Sequence, residues 1–152
     1  MRFALASAAA IGLAGPAFAD NFDVYGLWLT AEETSHVEIY DCGDGTPCGR
    51  VAWIDPESLV APDTPENVTD RNNPDQTLRG RPLIGLVMLD SFEKGRSRWK
   101  SGRIYDPEDG RSYGSRLKRL DNGRLEVKGC IGPICQTQVW TEAAAAPATG
   151  DS

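Results

Sequence analysis

The side chains able to do chemistry are few. Histidine occurs once, at His36. A zinc site built on two imidazoles is therefore excluded within one chain, and any Ser-His-Asp arrangement would have to use this ring as its base. Ser112 stands in the string Gly110-Arg-Ser-Tyr-Gly114, but it opens an alternating strand run with no helix after it, so it lacks the strand-to-helix elbow that exposes such a nucleophile. Oxygen donors cluster twice, in Asp70-x-Asn72-Asn73-x-Asp75 and in Asp106-x-Glu108-Asp109-Gly110. Neither keeps the Asp-x-Asx-x-Asx-Gly spacing with a distal Glu that wraps calcium, and turn hydrogen bonding accounts for both. We expect no catalysis, no metal and no cofactor.

Four cysteines remain, Cys42, Cys48, Cys130 and Cys135. A redox centre or a zinc knuckle would favour Cys-x-x-Cys, which the chain lacks. Four cysteines allow three pairings. The favoured one is Cys42–Cys48 with Cys130–Cys135, because each pair flanks a turn-rich stretch, Gly43-Asp-Gly-Thr-Pro47 and Ile131-Gly-Pro-Ile134. Closing such short loops is worth about 2 kcal/mol each on chain entropy.

Disulfides need an oxidising compartment, and residues 1–19 supply the address. Arg2 gives a positive start, Phe3 to Leu13 an apolar run, and Ala17-Phe18-Ala19 the small-x-small pattern of a cleaved signal peptide. The run is too short to span about 30 Å of hydrocarbon, and no later segment is long enough, so no integral membrane segment is expected after cleavage. The mature protein is expected in the periplasm or secreted. Residues 20–142 then form one domain, and 143–152, small and without pattern, are expected to be a disordered tail.

The elements that must position these groups are strands. Short alternating runs cover 24–30, 36–42, 48–54, 98–105, 112–120, 124–130 and 135–141, and 84–92 is apolar on both faces. Val51 and Trp53 are expected to share one face. Asp106 to Gly110 and Asp121-Asn122-Gly123 are turn sequences. No stretch reads as a long amphipathic helix. Eight strands joined by hairpins predict an all-β, antiparallel up-and-down barrel, since closure removes exposed edges. Residues 55–82 break the pattern as one long loop, with a helical turn near Asp75 to Leu78, and are expected to cover the barrel mouth or shape its entrance.

Charge narrows the partners. Lys and Arg number 16 against 22 Asp and Glu, a net −6. A chain this acidic with no basic arm is not a nucleic-acid binder, because phosphate neutralisation supplies most of that affinity. The imbalance is uneven: residues 20–75 carry thirteen acids and two bases, residues 76–141 thirteen bases and seven acids. If consecutive strands are neighbours, these become two sides of one barrel.

Gly26-Leu27-Trp28 on a first strand resembles the opening signature of lipocalins and their calycin relatives. That resemblance implies a Trp closing the narrow end of the barrel. His36-Val-Glu-Ile-Tyr-Asp-Cys-Gly43, Cys48-Gly-Arg-Val-Ala-Trp53, Asn72-Asn-Pro-Asp75, Leu78-Arg-Gly-Arg-Pro-Leu-Ile-Gly85, Gly102-Arg-Ile-Tyr-Asp-Pro-Glu-Asp-Gly110 and Gly129-Cys-Ile-Gly-Pro-Ile-Cys135 resemble a bacterial exported family, domain of unknown function 2147. The likeness runs from about Val24 to Thr141. It implies a calycin-like barrel and carries over no catalytic residue. Lipocalins place an Arg or Lys on the last strand across from the first-strand Trp. Here 135–141 offers only Gln136 and Gln138, so Trp28 is expected to be packed differently.

Two kinds of binding follow. An eight-stranded barrel is filled by side chains or encloses one small molecule. Trp28, Trp53, Met88, Trp99, Leu117, Val127 and Trp140 are the lining candidates for a small apolar or amphipathic ligand, with Ile104 and Leu125 beside them. The alternative is a solid barrel acting through its surface, where Arg116, Lys118 and Arg119 would contact an anionic envelope component.

Overall fold

Two-residue alternation puts one face of each strand in a core, and a computed structural model shows where those faces meet. It describes residues 12, 15 and 20–144; the leader and tail segments lie almost wholly outside them. The strands are β1 (Gly26–Leu29), β2 (Ser35–Asp41), β3 (Pro47–Ile54), β4 (Val87–Asp90), β5 (Glu93–Lys94), β6 (Trp99–Asp106), β7 (Arg111–Arg119), β8 (Leu125–Ile131) and β9 (Ile134–Glu142). Their order in the sheet is β4-β3-β2-β1-β9-β8-β7-β6-β5, and β4 also pairs with β6, which closes eight strands into a barrel and leaves β5 as an extra ribbon. The expected 84–92 strand is shorter because Gly85 (φ 86°) and Ser91 (φ 65°) take left-handed backbone at either side of β4.

Pairing is uneven around the barrel. β2 and β3 run together from Ser35↔Ile54 to Asp41↔Pro47, and β8 and β9 from Leu125↔Trp140 to Ile131↔Ile134. By contrast β1 meets β9 only at Trp28↔Glu142 and Leu29↔Thr141, and β4 meets β6 only at Leu89↔Ile104 and Asp90↔Arg103. The barrel is thus two antiparallel half-sheets, β1–β4 and β6–β9, joined along two short seams. The acid-rich and base-rich halves of the sequence fall on those two half-sheets.

The core is one cluster drawn from both halves. Trp28, Val37, Ile39 and Leu89 meet Phe92, Trp99, Leu117, Leu125, Val127 and Trp140, all buried. Glycine makes room for it: a Cβ on Gly102 would lie 2.1 Å from the Phe92 ring, and one on Gly49 would lie 2.8 Å from Leu89. The segment before β1 crosses one end as a floor. The Asn21 carbonyl accepts from the Arg119 amide (2.9 Å), and the Phe22 carbonyl from the Trp99 indole (2.9 Å).

The long loop contains two 3₁₀ turns, Pro56–Ser58 and Gln76–Leu78, the second at the place where a helical turn is expected and capped by Asp75. It packs a second cluster, in which Val68, Leu59, Leu83 and Leu86 meet Val51, Ile54 and Tyr105; Met88 touches both clusters. Both expected disulfides are formed, Cys42–Cys48 (S–S 1.96 Å) and Cys130–Cys135 (2.00 Å).

Candidate binding site

The barrel interior is the first place to look; its buried indoles are already engaged, while the buried Ser115 hydroxyl has no hydrogen-bond partner among the described residues. Each buried indole donates within the chain: Trp28 to the Val24 carbonyl (2.8 Å), Trp99 to that of Phe22, and Trp140 to the Gln138 side chain (2.9 Å). A ligand-orienting group in an apolar pocket would instead aim inward at the ligand. Trp28, Met88, Trp99, Leu117, Val127 and Trp140 are brought together, as members of the core or packed against it.

Trp53 is not with them. Val37 pairs with Val51 but His36 pairs with Trp53, so Ala52 is an extra residue in β3. Such a bulge reverses the alternation, turning Trp53 to the face of His36. Their rings lie 4.5 Å apart at 41°. Burial against that ring holds the His36 imidazole below its ordinary pKa, which favours the neutral form. The expectation that Val51 and Trp53 share a face, and that Trp53 lines the barrel, is corrected by one inserted residue.

Arg119 also departs from its neighbours. Its guanidinium carbon stands 5.2 Å from the centroid of the Trp28 ring, and the group bonds the Asp23 carbonyl (3.3 Å) and the Glu142 carboxylate. The cation missing from the last strand is therefore supplied by β7. With its side chain 17% exposed, Arg119 is a part of the floor. Arg116 and Lys118 stay on the outer face, Lys118 opposite Glu126.

The two oxygen-rich motifs hold the long loop to the barrel. Asp70 is fully buried; its Oδ2 accepts from Arg81 Nε (2.9 Å), Arg81 Nη2 (2.8 Å) and Asn73 Nδ2 (2.8 Å), and its Oδ1 from the Tyr105 hydroxyl (2.6 Å). A buried carboxylate is tolerated only when its lone pairs are satisfied in this way. Burial, reinforced by Asp70, pushes the Tyr105 pKa up to about 12. Asn72 Nδ2 bonds the carbonyls of Pro107 (3.1 Å) and Glu108 (3.0 Å), and Gly110 admits the Asn72 backbone, whose oxygen would be 2.0 Å from a Cβ there.

Fixed this way, the loop walls a groove of ≈ 450 Å³ against β3. Trp53, Ile84, Pro65 and Pro82 form its apolar sides, and Glu66 supplies one carboxylate. A second groove, ≈ 600 Å³, lies on the basic half-sheet around Arg96, Lys100 and Arg116. Neither is lined by the core cluster.

Comparison with known proteins agrees with this architecture. Residues 26–142 match the family described as "Uncharacterized protein conserved in bacteria (DUF2147)". A solved structure from Helicobacter pylori, HP1028, described as belonging to the lipocalin family, is similar to this chain with a TM-score of 0.66 and 26% identity, covering 80% of this chain and 84% of its own. No curated protein matches the sequence. A lipocalin-like barrel points, at a coarse level, to small-molecule binding.

Proposed function

The chain belongs to the DUF2147 family, and for this member we propose binding without catalysis: capture of a small amphipathic molecule in the groove between β3 and the long loop. The observation that carries the reading is the groove itself. At ≈ 450 Å³ it falls within the range of about 300–1,000 Å³ typical of ligand pockets, and it combines apolar walls with a single charge. Glu66 selects a ligand whose polar end donates hydrogen bonds or carries positive charge. His36, the one imidazole, packs beside Trp53 at 41° outside the groove lining, and burial holds its pKa below the ordinary value, which suits support of the Trp53 wall better than acid or base chemistry.

We further propose that the protein works in the periplasm or outside the cell. Two disulfides support an oxidising compartment, and no helix among the described residues is long and apolar enough to cross a membrane.

The test is a titration with N-phenyl-1-naphthylamine, an apolar amine probe, read by its own fluorescence and by tryptophan emission. The expected result is one site per chain, with affinity reduced at least tenfold in Trp53→Ala and little changed in Leu117→Met. Binding that survives Trp53→Ala but is altered by Leu117→Met would move the ligand into the barrel and overturn the groove as the site.

A further inference from the structure

The basic half-sheet carries two features that meet on one hairpin. The first is the ≈ 600 Å³ groove, which runs over the outer face of β6–β8 from the turn at Gly95–Arg98 to Cys130 and Gly132. Arg96, Lys100 and Arg116 line it, and among the described residues none of the three has an ion-pair partner. The nearby carboxylate of Glu126 is already held by Arg98 (3.1 Å) and Lys128 (3.8 Å). Ser97 and Ser101 add hydroxyls, and Gly114 leaves the floor without a side chain. Unpaired cations with hydroxyl donors around a bare backbone floor form a receptor for a phosphate group.

The second feature is the tip of the β8–β9 hairpin. Ile131 and Ile134 face each other in register and are 69% and 75% exposed. The β7–β8 ladder ends at Gly114↔Cys130, so the tip extends beyond its neighbour, and the Cys130–Cys135 disulfide pins its base. Two large aliphatic side chains held rigidly in water, next to a cationic groove, mark an interaction site.

We propose that this hairpin and groove dock the protein on an anionic phospholipid surface, with the headgroup phosphate among Arg96, Lys100 and Arg116 and the two isoleucines entering the interfacial layer. Apolar insertion and electrostatic attraction add in such binding, and neither alone holds a protein firmly. A soluble phosphate would use the groove but leave both isoleucines in water. The acid-rich half-sheet, on the opposite side, favours the orientation that turns this flank toward the bilayer.

Co-sedimentation of the oxidised protein with vesicles tests the proposal. Phosphatidylglycerol:phosphatidylcholine vesicles should retain it at low salt, pure phosphatidylcholine should not, and 0.5 M salt should reduce retention at least tenfold. Lys100→Glu with Arg116→Glu should abolish binding. Ile131→Ser with Ile134→Ser should weaken it at least fivefold without altering far-UV circular dichroism or the salt dependence that remains. Inorganic phosphate at millimolar concentration should not displace the protein. Absence of retention on anionic vesicles, equal retention on neutral ones, or indifference to the isoleucine changes would overturn membrane docking. Displacement by inorganic phosphate together with that indifference would assign the groove to a soluble anion.

Discussion

The guanidinium of Arg119, at the end of β7, lies over the ring of Trp28, on β1, 5.2 Å from its centroid. The two residues belong to different half-sheets, so their contact ties the floor across the β1–β9 seam. Trp28→Ala should cost about 3–5 kcal/mol as a buried aromatic truncation. Arg119→Met keeps bulk but removes the cation, and should cost about 1–3 kcal/mol. Urea unfolding of both single variants and the double variant measures the coupling. A coupling near zero would mean that the stacking contributes nothing beyond packing.

Glycine at 102 is predicted to be indispensable and glycine at 129 replaceable. A methyl at 102 meets the buried Phe92 ring at 2.1 Å, whereas one at 129 meets Ile104 at 3.8 Å. Gly102→Ala should lose about 2–4 kcal/mol by overpacking, and Gly129→Ala should stay within about 1 kcal/mol of the parent. Adding Phe92→Leu should recover part of the first loss. Thermal unfolding of the three variants checks the ranking.

Stability should fall in alkali through Tyr105. Its folded pKa, about 12, lies above the ordinary 10.0, so the folded state holds the proton more tightly. That contribution is complete below pH 10 and is lost as pH rises from there through 12. Tyr105→Phe lacks the titration, so the stability gap between parent and variant should narrow as pH climbs from 9 to 11.5. A gap independent of pH would contradict the buried hydroxyl–carboxylate bond.

Removing either disulfide as a Cys→Ser pair should cost about 2 kcal/mol by releasing the denatured chain. The Cys130/Cys135 variant should also loosen the isoleucine tip, seen as faster amide exchange at Ile131 and Ile134. The Cys42/Cys48 variant should leave those amides unchanged, because its bridge lies on the other half-sheet.

Much of this architecture is legible in the sequence because it depends on local rules. Two-residue alternation located β2, β7 and β8, and Asp106 to Gly110 announced its turn, with Gly110 at φ 69°. What alternation misses is a change of phase. Ala52 bulges out of β3, and nothing in the spelling of Val51-Ala-Trp53 announces it, so Trp53 is assigned to the wrong face. Partnerships between distant segments are equally silent. Asp70 and Tyr105 read as a loop acid and a strand aromatic until the fold brings the hydroxyl to 2.6 Å. Arg119 looks like one more surface cation beside Lys118 for the same reason. The groove depends on loop closure, and single-strand periodicity carries no information on that.

The floor segment behaves as a clasp. Residues 20–25 come before every strand, yet their bonds reach Trp99 and Arg119, 77 and 96 positions along the chain from Phe22 and Asp23. Both bonds run from the segment that leads into β1 to the β6–β9 half-sheet, so the clasp ties the two shells independently of their short seams. The first residue after the expected cleavage point is Asp20, whose carbonyl already receives the Asp23 amide (2.9 Å). Cleavage at that expected point would keep the strap whole from Asp20 onward, with its first turn intact to latch one shell to the other.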